Sequence, residues 1–190
     1  MTATAPTGRR LRADGQRSYD AIVQAAGVAF TESGTHASLD DIAVRAGVGN
    51  ATLYRHFPTR DSLLVAALRQ HLSDLDVIAS KLMKSGDPGA ALQKWFFHLA
   101  NHFRAWRGLP DSVAQALRDD SSPLRSACQP LQTSTELLLH RAQQAGAAQA
   151  GVRPGDVFAV VSALAWAADT RNDTDTDLRR MIALVLAGIR

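Results

Sequence analysis

Residues 34–64 read G-T-H-A-S-L-D-D-I-A-V-R-A-G-V-G-N-A-T-L-Y-R-H-F-P-T-R-D-S-L-L, and this stretch decides the fold. Ser38 is a good N-cap, and Asp41 three residues on suits a capping box, so a helix is predicted to start at Leu39 with two carboxylates at its positive end. Leu39, Ile42, Ala43 and Ala46 make its inward stripe. Gly47 stops it, because glycine enters the left-handed region without a Cβ clash, and Val48 pins the turn to the core. A second short helix is predicted from about Asn50 to Phe57, ended by Pro58, which disfavours helical geometry in the residue before it.

In this second helix Leu53 and Phe57, four apart, form the buried edge. Asn50, Thr52, Arg55 and His56 carry hydrogen-bonding groups on surfaces that the core does not use. Such a composition suits a helix that enters the major groove of DNA. Two caps, a turn glycine, an aromatic-basic run and a proline stop stand together at fixed spacing, which separates this reading from ordinary packing of a Tyr beside a Leu.

The pattern S-L-D-D-I-A-x-x-A-G-V followed by T-L-Y-R-H-F-P-T-R-D-S-L-L resembles the DNA-binding domain of TetR-family transcriptional regulators, over residues 17 to 66. The resemblance implies that Asn50, Ala51 and Thr52 approach bases. It also implies that Ser38, Tyr54, His56 and Arg60 contact phosphates; Arg55 joins the DNA-facing set from its place on the helix alone. Position 49 is usually serine in that family, and Gly49 weakens the cap by a few tenths of a kcal/mol.

The chain has 190 residues, 46% of them apolar and 21% charged, with a net charge of +3. These values fit a soluble globular protein with room for a small helical domain and a larger one. No run approaches the 18 apolar residues of a membrane span, and the segment before Arg17 lacks the apolar core of a signal peptide. The single cysteine, Cys128, excludes an internal disulfide and suits a reducing cytoplasm, with burial as its expected role. The charge is too mild to argue for nucleic acid alone, but Arg9, Arg10, Arg12 and Arg17 against Asp14 concentrate it in the first seventeen residues.

Residues 1–16 lack apolar periodicity and are expected to be a disordered basic arm, open to two readings: a DNA-backbone contact or a solvated tail. From Ser18, the positions Ile22, Ala25, Ala26, Ala29 and Phe30 mark an amphipathic helix that closes at Gly34 and forms the third wall of a DNA-binding domain over 17–62. Thr59 is expected to cap a long helix from Arg60 to Lys84. Residues 63–190 then make a helical ligand-binding and dimerisation domain, so that the fold class is all-α.

Trp95, Phe96, Phe103 and Trp106 recur at helical spacing and read as core that also lines a pocket for an apolar or aromatic small molecule, with His98 and His102 as polar neighbours. The two histidines stand at i, i+4, the spacing of a shared metal, but two ligands fill only half of a tetrahedral site, so neither metal nor cofactor is expected. Pro110 and the run from Asp119 to Pro123 mark breaks. Pro130 is expected to begin or kink the next helix.

Residues 157–167 are apolar nearly all round, which predicts a buried helix. After a polar break at 172–177, Leu178, Met181, Ile182, Val185, Leu186 and Ile189 restore the amphipathic pattern. The family resemblance implies that these last two helices pair with their symmetry mates, through Val157, Val161, Leu164, Leu178, Met181, Ile182, Val185 and Ile189. No catalytic triad or phosphate loop is identifiable by spacing, so no enzymatic activity is expected. The expected function is a homodimeric regulator bound to double-stranded operator DNA, a repressor released by a small-molecule effector. The rivals are a helical ligand-binding or scaffolding protein that ignores DNA and a metal-responsive regulator using His98 and His102.

Overall fold

A computed structural model describes residues 7–106, 108–109, 112, 119 and 121–188, with side chains from Asp14 onward except those of Gln70 and His71. Within them lie eight α-helices: α1 Thr7–Ser33, α2 Leu39–Arg45, α3 Asn50–His56, α4 Arg60–Leu82, α5 Pro88–Ala105, α6 Pro123–Gln144, α7 Pro154–Thr170 and α8 Asp175–Gly188. The expected break at Pro110, Asp120 within the expected break from Asp119 to Pro123, and the interface position Ile189 lie outside the described residues. The chain divides after Leu68 into two compact units. The division falls beyond the expected boundary at residue 62 because Leu63, Leu64 and Leu68 are all buried and belong to the first unit.

The first unit packs α1, α2 and α3 against one another, with Ile22, Ala26 and Phe30 of α1 covering Ile42, Ala43 and Leu53. Gly34 and Gly47 take φ of 82° and 68° at the ends of α1 and α2, the left-handed geometry that their sequence positions require. The disordered-arm expectation for residues 1–16 needs correction, because α1 already starts at Thr7. Extending an existing helix adds one hydrogen bond per residue fixed, and Arg, Leu and Ala are good helix formers, so an apolar stripe is not needed there. Met1–Pro6, and the side chains of Arg9, Arg10 and Arg12, lie outside the described residues.

The second unit is organised around α5, which packs against α6, α7 and α8. Asp87 caps α5 by accepting from the Ala90 amide at 2.9 Å, with Pro88 at the first turn where its missing N–H costs nothing. Leu92, Trp95, Phe96, Leu99, Phe103 and Trp106 are all buried. Trp95 Nε1 donates to Thr135 Oγ1 of α6 at 3.0 Å, and that hydroxyl donates to the Leu131 carbonyl at 2.8 Å, so both polar atoms are paired inside the core.

Helix α6 begins at Ser122–Pro123, not at Pro130, which stands inside it. Ser122 accepts from the Leu124 amide and Pro123 occupies the first turn, a start signal that outweighs the one backbone bond that Pro130 removes. Cys128 on this helix is buried, and burial pushes its thiol pKa up to about 11. Helix α8 starts at Asp175, inside the expected polar break, because Thr174 and Asp177 cap it reciprocally: each backbone amide donates to the other's side-chain oxygen, at 3.2 and 3.3 Å. The Thr174 hydroxyl, which donates to Asp177 Oδ2 at 2.7 Å, and then the Thr174 amide hold the Asp177 carboxyl below its ordinary pKa.

Helix α7 is not buried all round. Val157, Val161, Ala165 and Ala168 face the core, whereas Trp166 is 72% exposed and Phe158, Val160 and Leu164 are half-buried. Uniform apolarity marks a helix to be covered on every side, and one chain covers only one side.

Replacing Thr135 with Val keeps the shape of α6 but leaves the Trp95 N–H buried and unbonded. The expected loss is about 1–3 kcal/mol, seen as a lower urea midpoint with an unchanged m value.

Candidate nucleic-acid interface

Ser38 Oγ accepts from the Asp41 amide at 3.3 Å and caps α2, with Asp40 and Asp41 in its first turn. The Val48 amide donates to the Ala43 carbonyl at 3.0 Å and closes the turn between the two short helices. Gly49 is the N-cap of α3 and gives no side-chain bond, and a Cβ built there meets nothing within 4 Å, so crowding is not what selects glycine. Leu53 and Phe57 turn inward, while Ala51, Tyr54 and Arg55 are exposed and Thr52 half-exposed.

Asn50 does not stand free. Its Nδ2 donates to Asp40 Oδ1 of α2 at 2.8 Å, a contact between two elements that the sequence did not announce. Tyr54 is 47% exposed at the surface, in keeping with a phosphate-contacting phenol.

Two of the residues expected to contact phosphate also make contacts within the unit. Arg60 Nη1 donates to the carbonyl oxygens of Thr35 at 3.0 Å and Ala37 at 2.6 Å, tying the start of α4 to the loop between α1 and α2. Charge-assisted bonds to these two loop carbonyls make this arginine a structural clamp. His56 Nε2 is buried without a partner, and its ring lies edge-on to Tyr19 at 6.1 Å and near Phe57 at 6.3 Å. Packing against α1 draws that nitrogen inward, while the residue as a whole is half-buried. Arg45, in turn, pairs with Glu32 of α1 at 2.8 Å.

In the second unit Trp95, Phe96 and Trp106 are core residues, and of the expected aromatic set Phe103 lines a cavity of about 740 Å³. Arg104, Ser162, Trp166, Asp169 and Asn172 share its wall and were not anticipated, because they come from three separate segments. The one available signal was Trp166, which departs from the inward register of Val161 and Ala165 on α7. Arg104 donates to the Asp173 carbonyl at 2.9 Å and pairs with Asp175 at 3.4 Å, which holds the α7–α8 connection.

His102 is buried with its ring 6.0 Å from that of Phe103, and His98 is half-buried. Burial, then the nearby Arg179 cation, lowers the His98 pKa. Among the described residues no three His, Cys, Asp or Glu side chains gather as a metal group. Of the expected interface set, Val157, Val161, Leu178 and Ile182 are covered by the chain's own helices, whereas Leu164, Met181 and Val185 are half-buried; Trp166 and Leu184 on the same two helices are exposed.

Two seven-residue helices joined by a glycine turn on an α1 support define a helix-turn-helix DNA-binding domain. The family model for bacterial regulatory proteins of the tetR family matches residues 22–67, and that for the C-terminal domain of SbtR-like transcriptional regulators matches residues 87–190. The chain belongs to the TetR family of transcriptional regulators.

It is 40% identical over 81 residues to the HTH-type transcriptional repressor LfrR of Mycolicibacterium smegmatis, covering 42% of each chain. It is 39% identical over 69 residues to the HTH-type transcriptional activator FasR of the same organism, covering 36% of this chain and 31% of that one. The match thus spans less than half the length of either curated relative. The crystal structure of the TetR transcriptional regulator SCO0520 from Streptomyces coelicolor is 33% identical, covers 90% of this chain and 97% of its own, and superposes with a TM-score of 0.58.

Arg60→Ala leaves the Thr35 and Ala37 carbonyls without their cationic donor. The expected cost is about 1.5–3 kcal/mol of stability in the first unit, read by hydrogen exchange of the amides in α1–α3, while Tyr54→Phe should leave that protection unchanged.

Proposed function

We propose that the protein is a sequence-specific, homodimeric DNA-binding repressor that acts in the cytoplasm and leaves its operator when an apolar or aromatic small molecule binds the second unit. It has no enzymatic role in this reading. The observation that carries the proposal is the division of labour on α3, where Leu53 and Phe57 are spent on the core and Ala51, Thr52, Tyr54 and Arg55 are left outward. LfrR, the relative with 40% identity over the aligned residues, is named a repressor and FasR an activator. Repression is favoured because a dimer seated on promoter DNA excludes other proteins by volume alone.

The coupling is assigned to α4. Its first residue, Arg60, clamps the α1–α2 loop, and its last carbonyl, that of Leu82, accepts from Arg141 Nη1 of α6 at 3.3 Å. A ligand moves the equilibrium only through its differential affinity for the two arrangements, and a coupling of about 1–3 kcal/mol loosens the operator roughly 5- to 150-fold. The same factor must weaken ligand binding when operator is present. Equal ligand affinity with and without operator removes the allosteric part of the proposal.

Selection of binding sites from random duplex DNA tests the central reading. It should yield a pseudo-palindrome with half-sites about one helical turn apart, on the order of 34 Å. Tyr54→Phe and Arg55→Ala should weaken operator and random DNA alike, because phosphate contacts position without reading sequence. Arg55→Ala should also flatten the log-log salt dependence by about 0.9 per protomer, whereas Thr52→Val should change base preference. Unchanged binding in all three variants overturns the assignment of α3.

The second copy is assigned to the apolar surface of Leu164, Trp166, Met181, Leu184 and Val185 on α7 and α8. Val185→Asp places a carboxylate in that interface on both sides, at a cost of several kcal/mol each. Sedimentation should show the wild type dimeric at micromolar concentration and the variant monomeric with its helix content intact.

A further inference from the structure

We propose that Asp40 is a specificity-determining positioning residue, which orients the Asn50 side chain so that its amide oxygen and one N–H read an adenine in the major groove. The proposal rests on the DNA-binding reading above and goes beyond it by assigning the base and the device that selects it. The Asp40 side chain sits in the first turn of α2, and its Oδ1 accepts from Asn50 Nδ2 at 2.8 Å. Both residues are exposed, on the two helices of the helix-turn-helix.

The direction of this bond is fixed by chemistry. A carboxylate has only acceptors, so the amide must turn its NH2 toward Asp40 and its oxygen away. A free asparagine presents either end of its amide at nearly equal energy, and half of its orientations would offer a base the wrong pattern. With one N–H given to Asp40, the oxygen and the second N–H remain as a neighbouring acceptor and donor. Adenine offers the complementary pair, the N6 donor beside the N7 acceptor, and asparagine binds it in this bidentate way. Cytosine offers only a donor and guanine only acceptors on that edge, so neither satisfies both halves of a fixed amide.

Asp40 also carries a negative charge on a surface assigned to phosphate-rich DNA. Its carboxylate opposes sequence-independent binding, so its role is to sharpen discrimination at the expense of general affinity. A bond that only stapled α2 to α3 would support stability and leave base preference untouched.

Asp40→Asn keeps the size and the hydrogen bond but removes its direction, since two facing amides pair in either sense. Asp40→Ala removes the bond altogether. Binding-site selection with the wild type, both variants and Asn50→Ala should show one A·T pair in each half-site favoured by the wild type. That preference should fall about 5- to 150-fold in all three variants, with the other positions unchanged and affinity for random DNA raised in the two Asp40 variants. Combining Asp40→Asn with Asn50→Ala should add nothing further at that position. If the wild type selects a site and the Asp40 variants select the same site with the same preferences, Asp40 does not position Asn50 and the inference is overturned. If the wild type selects no sequence at all, it is the DNA-binding reading that fails.

Discussion

Two seven-residue helices are too short to persist alone, since nucleation is costly and each end leaves unpaired backbone groups. They exist here because Ile22, Ala26 and Phe30 of α1 close over Ile42, Ala43 and Leu53 and remove them from water. Everything assigned to the surface of α3 depends on that burial. With Leu53 and Phe57 anchored inward, the helical period leaves Ala51, Tyr54 and Arg55 no place but the outside.

Polar groups then secure what apolar burial has assembled. Arg60 reaches back to two loop carbonyls, Asn50 and Asp40 join the tips of α3 and α2, and Arg45 meets Glu32 across α2 and α1. The half-buried Arg60 clamp contributes more than the exposed Arg45–Glu32 pair, because solvent screens the latter to below about 1 kcal/mol. In the second unit the Trp95–Thr135–Leu131 chain performs the same service inside the core, where an unpaired donor would be most costly.

The second unit leaves its surplus of apolar surface on α7 and α8. Trp166 and Leu184 are 72% and 69% exposed, and half-buried Leu164, Met181 and Val185 lie on the same two packed helices. A cavity with Trp166 in its wall opens on that same helix. The cavity and the exposed apolar side chains thus share one element.

The helix-turn-helix, the all-α class and the TetR resemblance were legible in the sequence because caps, turn glycines and the proline stop act locally, within three or four residues of the groups that they satisfy. At Thr7 and Pro123 the helix starts depart from the local signals, because helix propagation does not need apolar periodicity and the Ser122–Pro123 start overrides Pro130. The roles of Arg60 and His56 required the fold, because their partners at Thr35, Ala37 and Tyr19 lie more than twenty residues away in the chain. The fold was also needed for Asp40 and Asn50, ten residues apart on two helices, for the cavity wall, and for which side of α7 is covered. Residue types and spacing determine which groups must be paired or buried; only the packed chain decides which partner each one finds.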